Sequence, residues 1–210
     1  MVLAEQIDSI LGRPLIGQLV EIYFDRPCFA GVDFDEVGAS DSYRFEPSDL
    51  LALNLLDIRM GPEAIREILS GKFDHYLCEI PVDIDLWSED FSEGSHPRES
   101  ADALYRAIRQ LPDVGPTTTS KLLARKRPRL VAIRDEVVER TLKLEGVEWW
   151  SPLAWALGDK SPGGMERRDR INHLAPMVRV STLRRLDVAV WMVGSNSGNA
   201  KRARQEIGFE

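Results

Sequence analysis

Apolar positions recur at intervals of three and four along most of the chain, the spacing that aligns one face of an α-helix. Ala4 to Leu11 and Leu15 to Phe24 both follow it, the second through Leu15, Leu19 and Ile22. Ser48 and Asp49 precede Leu50 to Leu56, a cap followed by a buried helix. Gly61-Pro62 opens another helix over Glu63 to Ser70, stopped by Gly71. Ser100 to Gln110 sets Ala101, Leu104, Ile108 and Leu111 on one side, and Thr117 to Ala124 carries Leu122 and Leu123. A helix from Asp135 to about Leu144 and a strong apolar run from Leu183 to Val193, ending at Gly194, complete the series. Polar segments separate them: 31–44 with Asp33, Asp35 and Asp41, an acidic connector over 81–97, and a loop around Ser161 to Gly164. The pattern predicts an all-α fold without internal repeats.

A chain of 210 residues, 43% hydrophobic, can bury one sizeable core, and one or two domains both fit. No apolar run reaches the roughly 18 residues needed to cross a membrane. The start, Met1 to Asp8, bears acids early and lacks a basic segment followed by an apolar one, so it does not read as a signal peptide. A cytoplasmic protein without a membrane partner is expected. Cys28 and Cys78 stand apart, and His75, His96 and His173 are scattered, so neither a metal nor a cofactor is expected. Asp83, Asp85 and Asp90 read as an acidic surface loop rather than a cation site.

The net charge of −7 conceals a division. Residues 1–100 hold 7 Lys and Arg against 21 Asp and Glu, a balance of −14, and residues 101–210 hold 20 against 13, a balance of +7. The acidic half suits a basic protein partner; the basic half suits nucleic acid. The densest basic run is Lys121, Arg125, Lys126, Arg127, Arg129 and Arg134. Such a run is either a solvated face or a phosphate-binding flank, and Arg167, Arg168 and Arg170 would extend it.

That run follows the turn Leu111-Pro-Asp-Val-Gly115 between two helices. Gly115 permits a close backbone approach or a geometry that a side chain would block. Pro116 suits the first helical position, and the amides that follow, aided by the helix dipole, favour a phosphate. Val114, Gly115, Thr117, Thr118, Lys121, Arg125, Lys126 and Arg127 are therefore the candidate DNA contacts.

The segment from Leu111 to Arg140 resembles the signature of the helix-hairpin-helix DNA glycosylase superfamily. Leu111, Pro112, Val114 and Gly115 match its hairpin; Leu130, Val131, Ile133, Asp135, Val138 and Arg140 match its later part. Phe45 to Leu56 is similar to the early buried helix of those enzymes, and Leu186 to Gly194 to their late core helix. The run Leu183 to Met192 is also similar to a bacterial branch without assigned function. The resemblance covers about 45–200 and implies a two-lobed helical fold with its hairpin at 100–124. Residues 1–44 would then be helices and an acidic loop packed on that core, and 201–210 a tail.

Cleaving an N-glycosidic bond builds positive charge on the sugar, which a nearby carboxylate stabilises while it orients water. By resemblance Asp135 holds the family's carboxylate position; it also suits a helix N-cap, and the two roles can coexist. The resemblance thus implies a DNA-binding protein that excises bases with Asp135 and water, or a non-catalytic relative that recognises nucleic acid or protein. Three departures bear on the choice. Thr117 stands where lyase-type members carry lysine, so no Schiff-base chemistry is expected there. Asp113 stands at the hairpin's first glycine, opposing a phosphate unless it caps the next helix. Asp57-Ile-Arg-Met60 replaces the segment that probes the opposite strand, leaving Arg59 as its candidate. Trp149 and Trp150 are either core residues or stacking platforms for a base.

Overall fold

The structure, a computed structural model, describes residues 2–144 and 150–209. Among them every regular element is helical, as the apolar spacing predicts. The order is α1 (Val2–Leu11), α2 (Ile16–Asp25), α3 (Pro47–Leu55), α4 (Pro62–Leu69), α5 (Asp74–Glu79) and α6 (His96–Arg109). There follow α7 (Pro116–Lys126), α8 (Glu136–Thr141), α9 (Trp150–Gly158), α10 (Pro162–Asn172), α11 (Thr182–Gly194) and α12 (Gly198–Ile207). Two 3-10 turns, Ala30–Asp33 and Glu89–Phe91, interrupt the connectors. No helix among the described residues is long and apolar enough to cross a membrane.

The chain divides into two compact units, one of Met1–Val32 with Arg134–Glu210, the other Asp33–Ile133. The linear division at residue 44 is therefore replaced by a discontinuous one. The first two helices join the last third of the chain because their apolar faces pack there: α1 meets α9, α10 and α11, while α2 meets α11 and α12. The expected tail at 201–210 is largely α12, anchored by buried Ala200 and Ala203.

In the discontinuous unit α11 is the central element. Leu183, Leu186, Val188, Ala189, Val190 and Met192 are all buried, as expected of a helix enclosed on most sides. Each such Leu or Val contributes about 1.5–3 kcal/mol of burial energy. Its last residue, Gly194, faces Thr141 of α8 so closely that an added Cβ would overlap Thr141 Oγ1. That contact, and not a backbone conformation, requires glycine.

In the continuous unit α6 buries Ala101, Leu104 and Ile108 and packs on α5 and α7, and α7 packs in turn on α3. Two caps differ from the sequence expectation. Helix α3 starts at Pro47, with Glu46 as N-cap and Asp49 at the third position, each side chain accepting from the other's backbone amide. This reciprocal box displaces Ser48, and it leaves Asp49 fully buried. The Ser161–Gly164 loop is instead the start of α10, where Ser161 Oγ accepts from Gly164 N at 3.2 Å.

Candidate nucleic-acid interface

The turn between α6 and α7 is built from short-range constraints. Leu111 and Val114 are buried anchors, so the Val114 side chain belongs to the core and only its backbone lies at the turn. Val114 N donates to Leu111 O at 3.2 Å. Asp113 carries the left-handed conformation (φ 58°), which Asp tolerates better than most residues. The exposed Arg109 folds onto the turn, with Nη1 donating to Val114 O at 2.6 Å.

Gly115 is the N-cap of α7, with φ −87° and ψ 176°, extended backbone open to any residue. A Cβ there would meet nothing within 4 Å. The protein's own geometry does not require this glycine: of its two expected uses, a close backbone approach or a special geometry, the special geometry is absent. No side chain caps the helix, so Asp113 does not turn inward to do so. Pro116 occupies the first turn, and Thr119 N and Thr119 Oγ1 both donate to Gly115 O at 3.0 Å. Thr117 and Thr118, the half-buried second and third residues of α7, begin the helix ahead of that bond.

The basic flank lies elsewhere than expected. Lys121, Lys126 and Arg127 are buried, and the Arg125 side chain is only 4% exposed. Lys121 Nζ donates to Leu56 O at 3.1 Å, at the end of α3. Arg125 donates to Phe34 O at 2.8 Å and Val37 O at 2.7 Å. Lys126 donates to Ser40 Oγ at 2.7 Å and Asp41 O at 2.8 Å, and forms an ion pair with Asp49. Arg127 donates to Ile80 O, Ser42 O and Lys126 O, each at 2.8 Å, and also to Leu77 O. Burial holds both the Lys126 ammonium and the Arg127 guanidinium below their ordinary pKa, outweighing the pull of Asp49 on the former. These four cations, expected as DNA contacts, are therefore engaged inside the fold.

The same use of arginine recurs in the discontinuous unit. Arg167 grips both carboxylate oxygens of Asp8 at 2.9 and 2.7 Å and donates to Ala156 O. Arg168 donates to Leu157 O and Asp159 O, beside the end of α9, and Arg204 to Met192 O and Ser195 O, beside the end of α11. Guanidinium groups thus satisfy carbonyls that helix ends leave without intrahelical partners. Much of the positive balance of residues 101–210 is used this way, which the linear charge count cannot reveal.

Asp135 is the N-cap of α8, its Oδ1 accepting from Val137 N at 2.9 Å, and the residue is half-buried. Arg129 bridges to Asp85 at 2.9 Å, and Arg134 to Glu139 at 2.6 Å. Trp150 is buried, which favours its packing role, and Trp149 lies outside the described residues. Arg59 is exposed, just after Asp57 (φ 59°), which closes α3. Among the described residues no group of three or more His, Cys, Asp or Glu could hold a metal ion. What the sequence reading missed is Arg106 and Arg109, exposed in the last turn of α6. Their position just before Leu111-Pro112 was the available signal.

The model of a family of unknown function, DUF6308, matches residues 16–194. The chain belongs to this family. The match runs from the first residue of α2 to the last of α11, and so takes in the α6–α7 turn and the Thr141–Gly194 contact. No curated protein and no solved structure matches the chain.

Proposed function

We propose that this DUF6308 protein binds the phosphate backbone of duplex DNA through the α6–α7 turn. The contact uses main-chain amides of Gly115, Thr117 and Thr118 together with the exposed Arg109. The observation that carries the reading is the glycine: its position is open, its backbone angles are ordinary, and no side chain caps the helix it begins. Space kept free at a helix N-terminus suits close approach by an anion. Arg109, tied to Val114 O, adds a cation at the same turn. Because the cations of α7 are turned inward, few phosphates are neutralised, and binding is weak with a shallow salt dependence.

Gly115→Asp separates this role from folding. Asp caps helices at least as well as Gly and adopts these backbone angles, so the variant keeps or slightly raises its stability. It also sets a carboxylate where the phosphate would sit. Fluorescence anisotropy with a labelled duplex at low salt is expected to show binding by the wild type and at least a tenfold loss, about 1.4 kcal/mol, in the variant. Wild-type protein that does not bind, or a variant that binds as well as wild type, overturns the reading.

A further inference from the structure

The last turn of α6 carries a cation that the fold leaves unused. Arg106 is exposed, and no described residue forms a hydrogen bond or ion pair with it. Its neighbour four residues back on the helix, Asp102, is placed to be its partner. Asp102 pairs instead with Arg98, at 3.3 Å. Arg98 is itself held in place: it is 8% exposed, and its guanidinium lies 5.5 Å from the centre of the Phe91 ring. Three residues beyond Arg106, the exposed Arg109 donates to Val114 O, an acceptor without net charge. The turn that follows exposes the carboxylate of Asp113. Arg109 and Asp113 together carry no net charge, so the positive balance of this ledge comes from Arg106. This is the opposite of α7, whose cations are all engaged inside the fold.

We propose that Arg106 binds a second phosphate, the next along the strand whose first phosphate sits at the α6–α7 turn. The protein then grips two successive phosphates of one strand. The proposal rests on the reading of the turn given above. Side chains three residues apart on a helix share a face, with Cβ atoms about 5–6 Å apart, close to the spacing of neighbouring phosphates on one strand. Arg106 gives up no partner on binding, so it loses only side-chain freedom. Its planar guanidinium can meet two oxygens of one phosphate at once. Such contacts fix the protein's position on the backbone without reading its bases. With Asp113 offsetting Arg109, the second arginine supplies the net attraction at this ledge.

Two labelled duplexes of equal charge test this with the full chain by fluorescence anisotropy at low salt. In each, half of the phosphates of both strands are neutral methylphosphonates. In one they form a contiguous block, which leaves successive charged phosphates elsewhere on the strand. In the other they alternate, which removes every successive charged pair. The wild type is expected to bind the alternating duplex about tenfold more weakly than the block duplex, the loss of one charge-assisted contact. Arg106→Gln should bind the two equally, with a salt slope on unmodified duplex shallower by about 0.9 and an unchanged melting temperature. Arg66→Gln, which removes another exposed cation, on α4, should behave as wild type. Equal binding of the two duplexes by the wild type, or an unchanged salt slope in Arg106→Gln, overturns the second contact and leaves the turn's role standing. No binding of unmodified duplex by the wild type overturns both.

Discussion

Replacing Arg127 distinguishes an internal cation from a DNA contact. Arg127 is 1% exposed, and its three nitrogens supply four carbonyls, three of them at 2.8 Å. Arg127→Ala leaves those acceptors without donors and opens a cavity where the long side chain stood. A buried polar group stripped of its partner costs about 1–3 kcal/mol. Some carbonyls will regain water, and the variant no longer buries a charge that the fold already disfavours. A net loss of about 4 kcal/mol follows, a large share of the roughly 5–15 kcal/mol typical of a folded domain. Arg127→Lys should lose about half as much, since one ammonium cannot reproduce a planar fork reaching Ile80 O, Leu77 O and Ser42 O together. Urea unfolding followed by circular dichroism measures both. At an exposed, phosphate-contacting arginine the same changes would cost under about 0.5 kcal/mol and appear as lost DNA affinity. That outcome would refute the placement of Arg127 in the interior.

Gly194→Ala should cost about 1–3 kcal/mol by overpacking against Thr141, and Thr141→Ala should restore part of it, which a double-mutant cycle reads as coupling. Asp135→Ala should lose about 1 kcal/mol of stability by removing the α8 cap, whereas Asp135→Asn, which can cap equally well, should change little. The same Asn variant probes chemistry: alkali-revealed abasic sites formed by wild type on damaged duplexes, and lost in Asp135→Asn, would give that carboxylate a role beyond capping. Lys126 yields a pH prediction. Burial lowers its folded pKa below 10.5, so between that lowered value and 10.5 the unfolded chain binds more protons, and stability rises with pH across that window. Thermal melts at pH 8 to 10.5 should show this rise in wild type relative to Lys126→Met, whose curve lacks it.

Several features were legible from local order. The three-and-four spacing of apolar residues located the helices, because amphipathic period is a property of neighbours in sequence. Pro116 at the first turn of α7 and Asp135 ahead of α8 announced those helix starts for the same reason. Leu111, Val114 and Gly115 marked a tight connection, since turn chemistry involves only a few adjacent residues. Less legible was α5, whose six residues are too few to show a period. The cap of α3 was also misplaced, because Ser48 is a favoured cap residue and only Asp49's reach back to Glu46 N shows that the helix starts earlier, at Pro47.

Charge was where sequence and structure parted. Arg125, Lys126 and Arg127 form a basic run in sequence, yet their partners lie some 50 to 90 positions away, at Leu77, Ser42 and Phe34. A count along the chain treats each cation as facing water. Whether it does depends on which distant carbonyls the fold brings beneath it, and a long side chain at the end of a packed helix can turn either way. The sequence by itself determined an all-helical chain with a constrained turn at Gly115. Tertiary structure alone decided that the first helices join the last third of the chain and that the basic flank is held inside, since both depend on contacts between residues far apart in sequence.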